Sequence, residues 1–407
     1  MSAPPFIVVG GGQAGLQVCD SLRKLGYDGQ LVLFAEEPVL PYQRPPLSKK
    51  YLGGELAAER LLFRPASHYE KLDIDVRLGV TVTTIDRTRR EIECSDGSRL
   101  AYARLALATG TRVRQLGCPG AEHPAVLYVR TLADSDALRA RLADAQRLVV
   151  VGGGFIGLEV AAMARQLGKD VIVLEALERL MARAVSAGIS DYYAALHRGH
   201  GVDVRLATAV DAIEPAANGV SVLTSHGDRL PADVVVAGIG VVANEEIAAA
   251  AGLECRNGIV VDDHARTSDP LIVAAGDCTM HMNGYLGREI RLESVQNAVD
   301  QARVAAAAMC DRPERYVQVP WFWSDQYDVK LQIAGIGMPF DECVQRGDVG
   351  AGSFSMFYFR GGALCGADSV NRAADHMACR RLLAQGTMIT PAEVADEGVD
   401  LMQRARG

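Results

Sequence analysis

Two glycine clusters carry the first chemical signal in the sequence. The spacing G-x-G-x-x-G occurs twice, in Gly10, Gly12 and Gly15 and again in Gly152, Gly154 and Gly157. Such glycines allow a tight turn, close approach of the backbone to a pyrophosphate, and close packing of a helix on a strand. The free N–H groups and the positive dipole end of the following helix favour negative charge. Each cluster is therefore predicted to hold the phosphates of a dinucleotide.

A carboxylate follows each cluster at the end of the next predicted strand. Glu36 lies 21 residues after Gly15, and Glu175 ends the corresponding strand of the second copy. Such an acid accepts hydrogen bonds from ribose hydroxyls and repels a 2′-phosphate, so Glu175 predicts NADH rather than NADPH. Arg179 and Arg183 weigh slightly against this choice, but they fall beyond the predicted end of the strand.

The elements that must position these residues form an internal repeat. Residues 6–36 are predicted as strand, glycine turn, amphipathic helix and strand, and residues 148–175 repeat that order. A third apolar strand that runs into glycine also recurs, at 105–110 and 234–240. Two βαβ units of this kind predict an α/β fold with two Rossmann-like dinucleotide-binding domains.

The second copy of the repeat interrupts the first. Residues 1–112 and 246–320 are predicted to form one discontinuous domain, and residues 113–245 the domain inserted into it. Residues 321–407 contain aromatic, β-rich runs followed by a helical pattern, which indicates a C-terminal α+β domain. A chain of 407 residues is long enough for two or three domains.

Composition and charge argue against several classes of protein. The chain is 49% hydrophobic and 23% charged, and no apolar run approaches the roughly 20 residues of a membrane span. A net charge of −8 argues against nucleic acid as a partner. The predicted first strand begins within a few residues of the N-terminus, which leaves no room for a signal peptide. We expect a cytoplasmic protein.

The cysteines and histidines show no metal-ligand spacing. Nine cysteines are scattered without a C-x-x-C pair, and they are predicted to be reduced thiols in or near cores. His197 and His200 are the one close pair of histidines, and the end of a helix explains them better than a metal site does. We predict no protein-bound metal.

Two bound dinucleotides indicate electron transfer between them. Two nicotinamides facing each other would accomplish little, whereas a nicotinamide facing a flavin allows hydride transfer and then release of single electrons. One of the two sites is therefore predicted to hold FAD, and the other NADH.

Longer motifs resemble a known family. The two fingerprints, residues 107–110 (LATG), residues 275–277 (AGD) and the small last domain resemble the two-dinucleotide-fold FAD/NAD(P)-dependent oxidoreductases. That resemblance implies a glutathione-reductase-like fold, with FAD on the first fingerprint and NAD(P)H in the inserted domain. Residues 40–49 (LPYQRPPLSK) and 320–326 (PWFWSDQ) look like its ferredoxin reductase branch, which serves cytochromes P450 and Rieske oxygenases.

The resemblance also separates this chain from the family's disulfide reductases and peroxidases. Those proteins carry redox cysteines in the segment after the first ribose acid, where this chain has Tyr42, Gln43 and Arg44. Because no cysteine relay is present there, the resemblance implies that electrons leave the flavin directly.

An ion pair beside the flavin is implied between Lys49 and Glu159. There the ammonium would favour the electron density that arrives with hydride, while the carboxylate restrains the lysine and shapes the nicotinamide slot. Lys50 is adjacent, but the register of the motif favours Lys49. The simpler explanation of Glu159 is compensation of the helix dipole in the first turn.

Further contacts with FAD are implied for Arg44, Pro45, Thr109, Gly110, Arg130, Gly276 and Asp277. Arg44 and Arg130 are expected at the phosphates or adenine, unless they are surface charges. Asp277 is expected at the ribityl and pyrophosphate groups, where it would also cap a following helix. Trp323 is the candidate for stacking on the flavin or nicotinamide, with Trp321 as second choice.

The sequence thus predicts an FAD-containing NADH:ferredoxin reductase that serves a small acidic [2Fe-2S] ferredoxin of a P450 or Rieske system. Residues 44–90 carry ten Lys/Arg against six Asp/Glu, and a docking face is expected to involve Lys49, Lys50, Arg60, Arg64 and Lys330. A monomer or weak dimer is expected. Two alternatives stay open: a reductase of quinone, monodehydroascorbate or oxygen, and a flavin-dependent interaction protein resembling apoptosis-inducing factor.

Overall fold

The computed structural model describes residues 3–406. By compactness the chain divides into two units. The first contains residues up to Gln43, Ala58–Arg112 and Val242–Pro320, and the second contains Arg44–Ala57, Val113–Val241 and the residues from Trp321 onward. Within residues 3–406, no helix combines the length and the apolar character that crossing a membrane requires.

The strands, in chain order, are β1 (Phe6–Val9), β2 (Leu31–Ala35), β3 (Ile74–Leu78), β4 (Val82–Asp86), β5 (Glu91–Cys94), β6 (Arg99–Ala101), β7 (Arg104–Leu107), β8 (Thr111–Val113), β9 (Val126–Leu127), β10 (Arg147–Val151), β11 (Asp170–Leu174), β12 (Asp203–Arg205), β13 (Val210–Pro215), β14 (Val220–Thr224), β15 (Arg229–Ala232), β16 (Val234–Ala237), β17 (Val241–Ala243), β18 (Ile259–Val261), β19 (Ile272–Ala274), β20 (Thr279–Asn283), β21 (Arg288–Ile290), β22 (Trp321–Gln326), β23 (Val329–Gly335), β24 (Glu342–Asp348), β25 (Ser353–Arg360) and β26 (Ala363–Val370). The helices are α1 (Gln13–Lys24), α2 (Ala66–Lys71), α3 (Leu132–Asp144), α4 (Phe155–Gln166), α5 (Ala187–Gly199), α6 (Glu246–Ala250), α7 (Val295–Met309), α8 (Ala373–Gln385), α9 (Pro391–Ala395) and α10 (Leu401–Arg404), and 3-10 turns lie at Pro45–Ser48 and Ala58–Leu61.

A parallel five-stranded sheet forms the centre of the first unit, in the order β19-β7-β1-β2-β3. All five residues of β2 are buried, as expected of a strand covered on both faces. Strands β4, β5 and β6 form a separate antiparallel sheet, and β18, β20 and β21 form a mixed one.

The second unit repeats this plan. Its parallel sheet has the order β12-β11-β10-β16-β9, and β13, β14 and β15 form the matching antiparallel sheet. The predicted repeat is therefore present, and it extends beyond the βαβ units to the small antiparallel sheet that follows each one.

The two fingerprint helices begin and end alike. Both α1 and α4 have 12 residues and start at a glycine N-cap. Each ends in a Schellman motif, in which Gly26 or Gly168 takes a positive φ of 88° or 78°. The next N–H then bonds back to the helix, from Tyr27 to Leu22 O and from Lys169 to Ala164 O. A Leu-Gly pair stands at each of these helix ends, Leu25–Gly26 in the first copy and Leu167–Gly168 in the second.

The C-terminal residues form an antiparallel sheet in the order β22-β23-β26-β25-β24, with α8, α9 and α10 following. Phe354 of this sheet belongs to the same buried core as Leu158 of α4, and so does Leu52 of the segment Arg44–Ala57. That shared core places both regions in the second compact unit, whereas the sequence assigned residues 44–57 to the discontinuous domain and treated 321–407 separately. The three-domain division stays a prediction.

Candidate redox site

The glycines of the two fingerprints have the geometry that their spacing predicts. Gly10 has a φ of 122°, and a Cβ on it would overlap the carbonyl of Ala108. A Cβ on Gly15 would overlap the carbonyl of Gly10, so this glycine lets α1 pack on β1. A Cβ on Gly12 would meet nothing within 4 Å, because this glycine faces open space at the start of α1.

The second fingerprint repeats this division of tasks. A Cβ on Gly152 would clash with the carbonyl of Gly238, and one on Gly157 with that of Gly152. Gly154 again has room, since a Cβ on it would lie 3.8 Å from its nearest neighbour, the carbonyl oxygen of Gly238. In each cluster the middle glycine is the one that leaves space for a ligand.

The N-termini of α1 and α4 fit an anionic ligand. Neither helix has a side-chain cap or an acidic residue in its first turn. By contrast, α3 has a capping box from Thr131 and Asp134, and Ser294 caps α7. The first N–H groups of the fingerprint helices therefore remain available for phosphate, the group that helix N-termini favour.

The two predicted ribose acids occupy different positions. Glu175 directly follows Leu174, the partner of Val151. Glu36 is separated by one residue from Phe34, the partner of Val9. The Glu175 carboxylate accepts N–H bonds from Gly153 (2.7 Å) and from Leu177 (2.8 Å). Its oxygens are thereby oriented and keep further acceptor positions for ribose hydroxyls. Glu36 is exposed.

The two arginines after Glu175 differ in their surroundings. Arg179 donates to the carbonyls of Ala182 and Val185, both at 2.7 Å, and to Ser190 Oγ at 3.0 Å. This guanidinium therefore holds the loop before α5. Arg183 is exposed.

Lys49 and Glu159 form the predicted ion pair. Lys49 Nζ lies 2.7 Å from Glu159 Oε2, and the side chains are 16% and 2% exposed. Lys50 is exposed, so the register of the motif identified the correct lysine. Glu159 lies in the second turn of α4, where compensation of the first-turn dipole does not account for it. Lys49 Nζ also donates to the carbonyl of Pro45 at 3.2 Å.

Two serines that sequence reasoning missed complete the surroundings of Glu159. Ser48 Oγ donates to Oε2 at 2.6 Å, and Ser324 Oγ donates to Oε1 at 2.7 Å. Both serines are buried. A buried carboxylate needs such donors, because burial without them is costly. The signal was present in the sequence, since both serines belong to the two long motifs.

Arg44 and Arg130 are brought together. Arg44 Nη1 donates to the carbonyl of Arg130 at 2.7 Å, and the Arg130 N–H donates to Asp134 Oδ2 at 3.0 Å. Both arginine side chains are half-buried. They lie next to the N-terminus of α3, and neither is a free surface charge. Their contact with FAD stays a prediction.

A second group of predicted residues lies at the carboxyl ends of β7, the neighbour of β1, and of β19, the strand on the other side of β7. Thr109 and Asn244 bond reciprocally, from Thr109 Oγ1 to Asn244 O at 2.7 Å and from Asn244 Nδ2 to Thr109 O at 2.9 Å. Gly110 and Gly276 both have positive φ, 64° and 88°. Gly276 also donates to Gln301 Oε1 at 2.8 Å. Open α/β sheets bind ligands at this edge.

The predicted capping role of Asp277 is wrong. Strand β20 begins two residues later, and the next helix, α7, is capped by Ser294. The apolar run before Asp277 was correctly recognised as a strand, but the chain continues into a second strand pair before it turns into a helix. Asp277 is half-buried, and its role at the cofactor stays a prediction.

The tryptophans lie on the face of β22 opposite to Ser324. Trp321 and Trp323 are two residues apart, and their rings are 5.6 Å apart. Phe322, on the other face, packs against Phe155 of α4 at 4.7 Å. Arg380 lies 4.7 Å above the ring of Trp321. The structure thus does not bring Trp323 to the Lys49 and Glu159 pair, and its stacking role stays a prediction.

The cysteines show no redox pair. All nine are free thiols, and burial raises the pKa of Cys19 and of Cys278, so these thiols resist ionisation. Across residues 3–406 no group of three or more His, Cys, Asp or Glu side chains is arranged to hold a metal ion. His197 and His200 lie at the end of α5, as predicted.

The candidate docking residues are mostly exposed. Lys50, Arg60, Arg64 and Lys330 all reach solvent. Arg64 is 3.8 Å from Asp20, and Lys330 is 3.8 Å from Asp325, so these two charges are partly compensated.

Comparisons with known proteins cover almost the whole chain. A family described as pyridine nucleotide-disulphide oxidoreductase matches residues 4–302, and one described as reductase C-terminal matches residues 321–405. Rhodocoxin reductase from Rhodococcus erythropolis is 47% identical over 397 residues, which are 97% of this chain and 93% of that protein.

Two solved structures are similar along their full length. A ferredoxin reductase for the CYP199A2 system from Rhodopseudomonas palustris has a TM-score of 0.97 and 44% identity, covering 99% of this chain and 100% of its own. A covalent putidaredoxin reductase-putidaredoxin complex gives a TM-score of 0.96 and 40% identity, covering 100% and 99%.

These matches confirm the predicted fold class and the resemblance on which the cofactors were inferred. The free helix N-termini and the open middle glycines fit the two dinucleotides that this family uses, FAD and NAD(H). The chain belongs to the pyridine nucleotide-disulphide oxidoreductase family, and it is an oxidoreductase that uses FAD and NAD(H).

Proposed function

We propose that this chain is an NADH:ferredoxin reductase, which passes electrons from NADH through FAD to a [2Fe-2S] ferredoxin. The similar proteins support this acceptor. Rhodocoxin reductase and a ferredoxin reductase are among them, and one similar structure is a covalent complex of a reductase with putidaredoxin.

The buried pair of Lys49 and Glu159 carries this proposal. The segment Arg44–Ala57 delivers an ammonium to a buried carboxylate at 2.7 Å, and it contains no cysteine. A thiol relay would need a reactive cysteine at this place in the chain. Without that relay, electrons that arrive as hydride leave for an acceptor outside the chain.

FAD, when bound, supplies a ring that accepts hydride from NADH and gives up electrons singly. The chain's own residues then have three tasks. The N-termini of α1 and α4 bind phosphates, Lys49 presents positive charge where negative charge develops, and Glu159 fixes that ammonium. Ser48 and Ser324 keep the carboxylate oriented.

NADH is proposed as the donor because of Glu175. Its carboxylate is held by the Gly153 and Leu177 N–H groups, so it cannot turn away from a nucleotide bound at α4. A 2′-phosphate at the same place would be repelled. Arg179 bonds to backbone carbonyls and is not available to offset that repulsion.

Anaerobic rapid mixing tests the proposal. The flavoprotein is mixed with NADH or with NADPH, and flavin absorbance is followed. The reduced protein is then mixed with a [2Fe-2S] ferredoxin and cytochrome c. We expect NADH to bleach the flavin at least about tenfold faster than NADPH at equal concentration, since one misplaced charge costs over about 1.4 kcal/mol. Cytochrome c reduction should require the ferredoxin.

Four results would contradict the proposal. One is a flavin that NADH does not bleach, and another is reduced protein that passes no electrons to ferredoxin. Faster turnover with quinone, monodehydroascorbate or oxygen would identify a reductase of small acceptors. Self-association driven by NADH, with negligible electron transfer, would instead identify an interaction protein.

The ferredoxin is proposed to be acidic, to dock on a face that includes the exposed Lys50 and Lys330, and to serve a P450 or Rieske oxygenase. Rising salt should then raise the KM for ferredoxin and leave that for neutral quinones unchanged. A cytoplasmic location agrees with nine free thiols, and cell fractionation tests it. We propose a monomer or weak dimer, which sedimentation can test.

A further inference from the structure

A continuous chain of hydrogen-bonded side chains leads from the end of α5 to Glu159. Ser324 Oγ lies 2.7 Å from Glu159 Oε1, Gln326 Nε2 lies 3.2 Å from Ser324 Oγ, and His197 Nε2 lies 2.8 Å from Gln326 Oε1. All four residues are buried, with no more than 3% of each exposed. Buried polar groups of this kind are stable only when each one is satisfied.

The donor and the acceptor of every hydrogen bond in this chain can be assigned by starting from Glu159. Glu159 is paired with Lys49, and an ionised carboxylate only accepts hydrogen bonds, so the Ser324 hydroxyl must donate to it. The Ser324 oxygen is then free to accept from the Gln326 amide nitrogen. That leaves the Gln326 oxygen to accept from His197 Nε2–H. One amide orientation and one imidazole tautomer are consistent with the whole chain.

The outer end of the chain agrees with this assignment. Burial lowers the pKa of His197 to about 4, so the imidazole is neutral near pH 7 and has one donor and one acceptor nitrogen. With the proton on Nε2, Nδ1 is the acceptor, and the Tyr327 hydroxyl lies 3.4 Å from it. The Tyr327 ring stacks on that of His200, with 3.7 Å between the ring centroids. His200 is exposed, so this end of the hydrogen-bonded chain lies close to solvent.

We infer that Ser324, Gln326 and His197 are positioning residues for the Lys49 and Glu159 pair. They hold Oε1 from one side, while Oε2 receives Ser48 and Lys49 from the other. With both oxygens fixed, the carboxylate cannot rotate, and it holds the lysine ammonium in one place. This inference rests on the proposed function, because the pair matters to the reaction only if it faces the flavin.

Packing alone does not explain why Ser324 and Gln326 of β22 are polar. Phe322, Ser324 and Gln326 alternate along one face of β22, and Phe322 packs on Phe155 as an apolar residue would. The next two positions on that face are polar, and they are the ones that lead to Glu159. A chain of donors that all point one way also strengthens each of its members by mutual polarisation.

The test measures the limiting rate of flavin reduction by NADH and the apparent Kd for NADH in the holoprotein. Ser324→Ala removes the donor to Glu159, and Gln326→Glu removes the donor to Ser324 while keeping the shape. We expect Ser324→Ala to lower the limiting rate roughly tenfold, the worth of one hydrogen bond to a charged group. Gln326→Glu should have a similar effect, because a carboxylate at this position competes with Glu159 for the Ser324 hydroxyl. The Kd for NADH should stay within about threefold, because positioning acts on the reaction step.

Two variants make the result specific. Ser324→Thr keeps the hydroxyl and should restore the rate to within about threefold of the wild-type value. Ser355→Ala is the matched control, because Ser355 is equally buried in β25 and its hydroxyl bonds to Ser369 and Asp375, away from Glu159. It should leave the limiting rate unchanged.

A readout independent of turnover comes from NMR of the protein labelled with ¹⁵N histidine. We expect His197 as a neutral imidazole with its proton on Nε2, and a displaced Nε2–H signal in Gln326→Glu. A proton on Nδ1 would overturn the inference, even if a variant fails to fold. So would limiting rates of Ser324→Ala and Gln326→Glu that match that of Ser355→Ala.

Failure of the inference can be told apart from failure of the proposed function. If Glu159→Gln slows flavin reduction and the positioning variants do not, only the inference is wrong. If Glu159→Gln also leaves the rate unchanged, the role proposed for the ion pair is wrong.

Discussion

The two fingerprint turns share a backbone but not their side chains. Both place a glycine with positive φ at the end of a central strand, both start a helix of 12 residues without a cap, and both end it in a Schellman motif. Yet Gln17 of α1 occupies the position that Glu159 holds in α4. Gln17 donates to Ser21 on its own helix, whereas Glu159 bonds to Lys49, Ser48 and Ser324 from distant parts of the chain.

Under the proposed function, this difference would let one scaffold serve two tasks. The first copy would only retain FAD, for which glycines and a free helix end suffice. The second copy would also place a charge for the reaction: its helix carries the buried acid Glu159, which is held by donors from the 44–57 segment and from β22. The acids at the strand ends also differ in how firmly they are held. The Glu175 carboxylate accepts bonds from two backbone N–H groups, whereas Glu36 is exposed.

The largest effect is expected from the middle glycines, which test whether the two turns bind different molecules. A Cβ on Gly12 meets nothing in the protein, so Gly12→Ala should fold normally and yet be purified with little or no FAD. Gly154→Ala should retain FAD and raise the KM for NADH at least about tenfold. Flavin absorbance per protein and steady-state kinetics measure both. Loss of FAD in Gly154→Ala instead would reverse the assignment of the two sites.

A smaller effect is expected when the residue at the matching position of α4 and α1 is exchanged, in Glu159→Gln and Gln17→Glu. Glu159→Gln leaves the Lys49 ammonium without its carboxylate, and we expect the limiting rate of flavin reduction to fall about 100-fold, as for other misplaced catalytic groups. The reciprocal change, Gln17→Glu, should keep the rate within about threefold, since Gln17 hydrogen-bonds to Ser21 of its own helix. Equal effects of the two changes would show that the acid has no special role.

Substitution of Glu175 or Glu36, the acids at the strand ends, should have more modest effects on nucleotide preference and on FAD retention. Glu175→Gln keeps the shape but removes the charge that repels a 2′-phosphate, so the preference for NADH over NADPH should narrow by about tenfold. Glu36→Gln should leave this preference unchanged and weaken only FAD retention. The ratio of kcat/KM for the two nucleotides measures the first effect, and FAD release on dilution the second. An unchanged ratio in Glu175→Gln would assign specificity to other residues, with Arg183 the first to examine.

The sequence was sufficient where local rules decide the structure. Strand, turn and helix follow from residue types a few positions apart, so both βαβ units were predicted correctly. Lys49 and Glu159 were paired across 110 positions only because the long motif resembles a family. Physical patterns in the sequence alone do not specify contacts at such separation.

What the sequence missed depends on tertiary packing. Ser48 and Ser324 reach Glu159 from two separate segments, and neither serine has a periodic or compositional signal of its own. Asp277 was predicted to cap a following helix, but β20 and β21 intervene before α7. The two acids were given the same role from the sequence, and the strand pairing shows that their registers differ by one residue.

The units also differ because the second one includes the C-terminal sheet, which shares a core with the second copy of the repeat. Asp368 of this sheet is buried, accepts a bond from Tyr358 Oη at 2.5 Å, and lies next to Ser186 at the start of α5. Burial raises its pKa from an ordinary 3.8 to about 7. Between these values the native protein binds more protons than the unfolded chain, so stability falls as pH rises.

Asp368→Asn removes this titration and keeps an acceptor for Tyr358. Relative to the variant, the wild-type protein should therefore lose stability between about pH 4 and pH 7, by on the order of a few kcal/mol. Turnover at pH 7 should change little, which makes this the smallest effect on activity. Thermal unfolding of both proteins across that range measures it. Parallel slopes across this range would mean that Asp368 stays ionised in the native protein, with its charge stabilised by Tyr358 and the Ser186 N–H at least as much as burial penalises it.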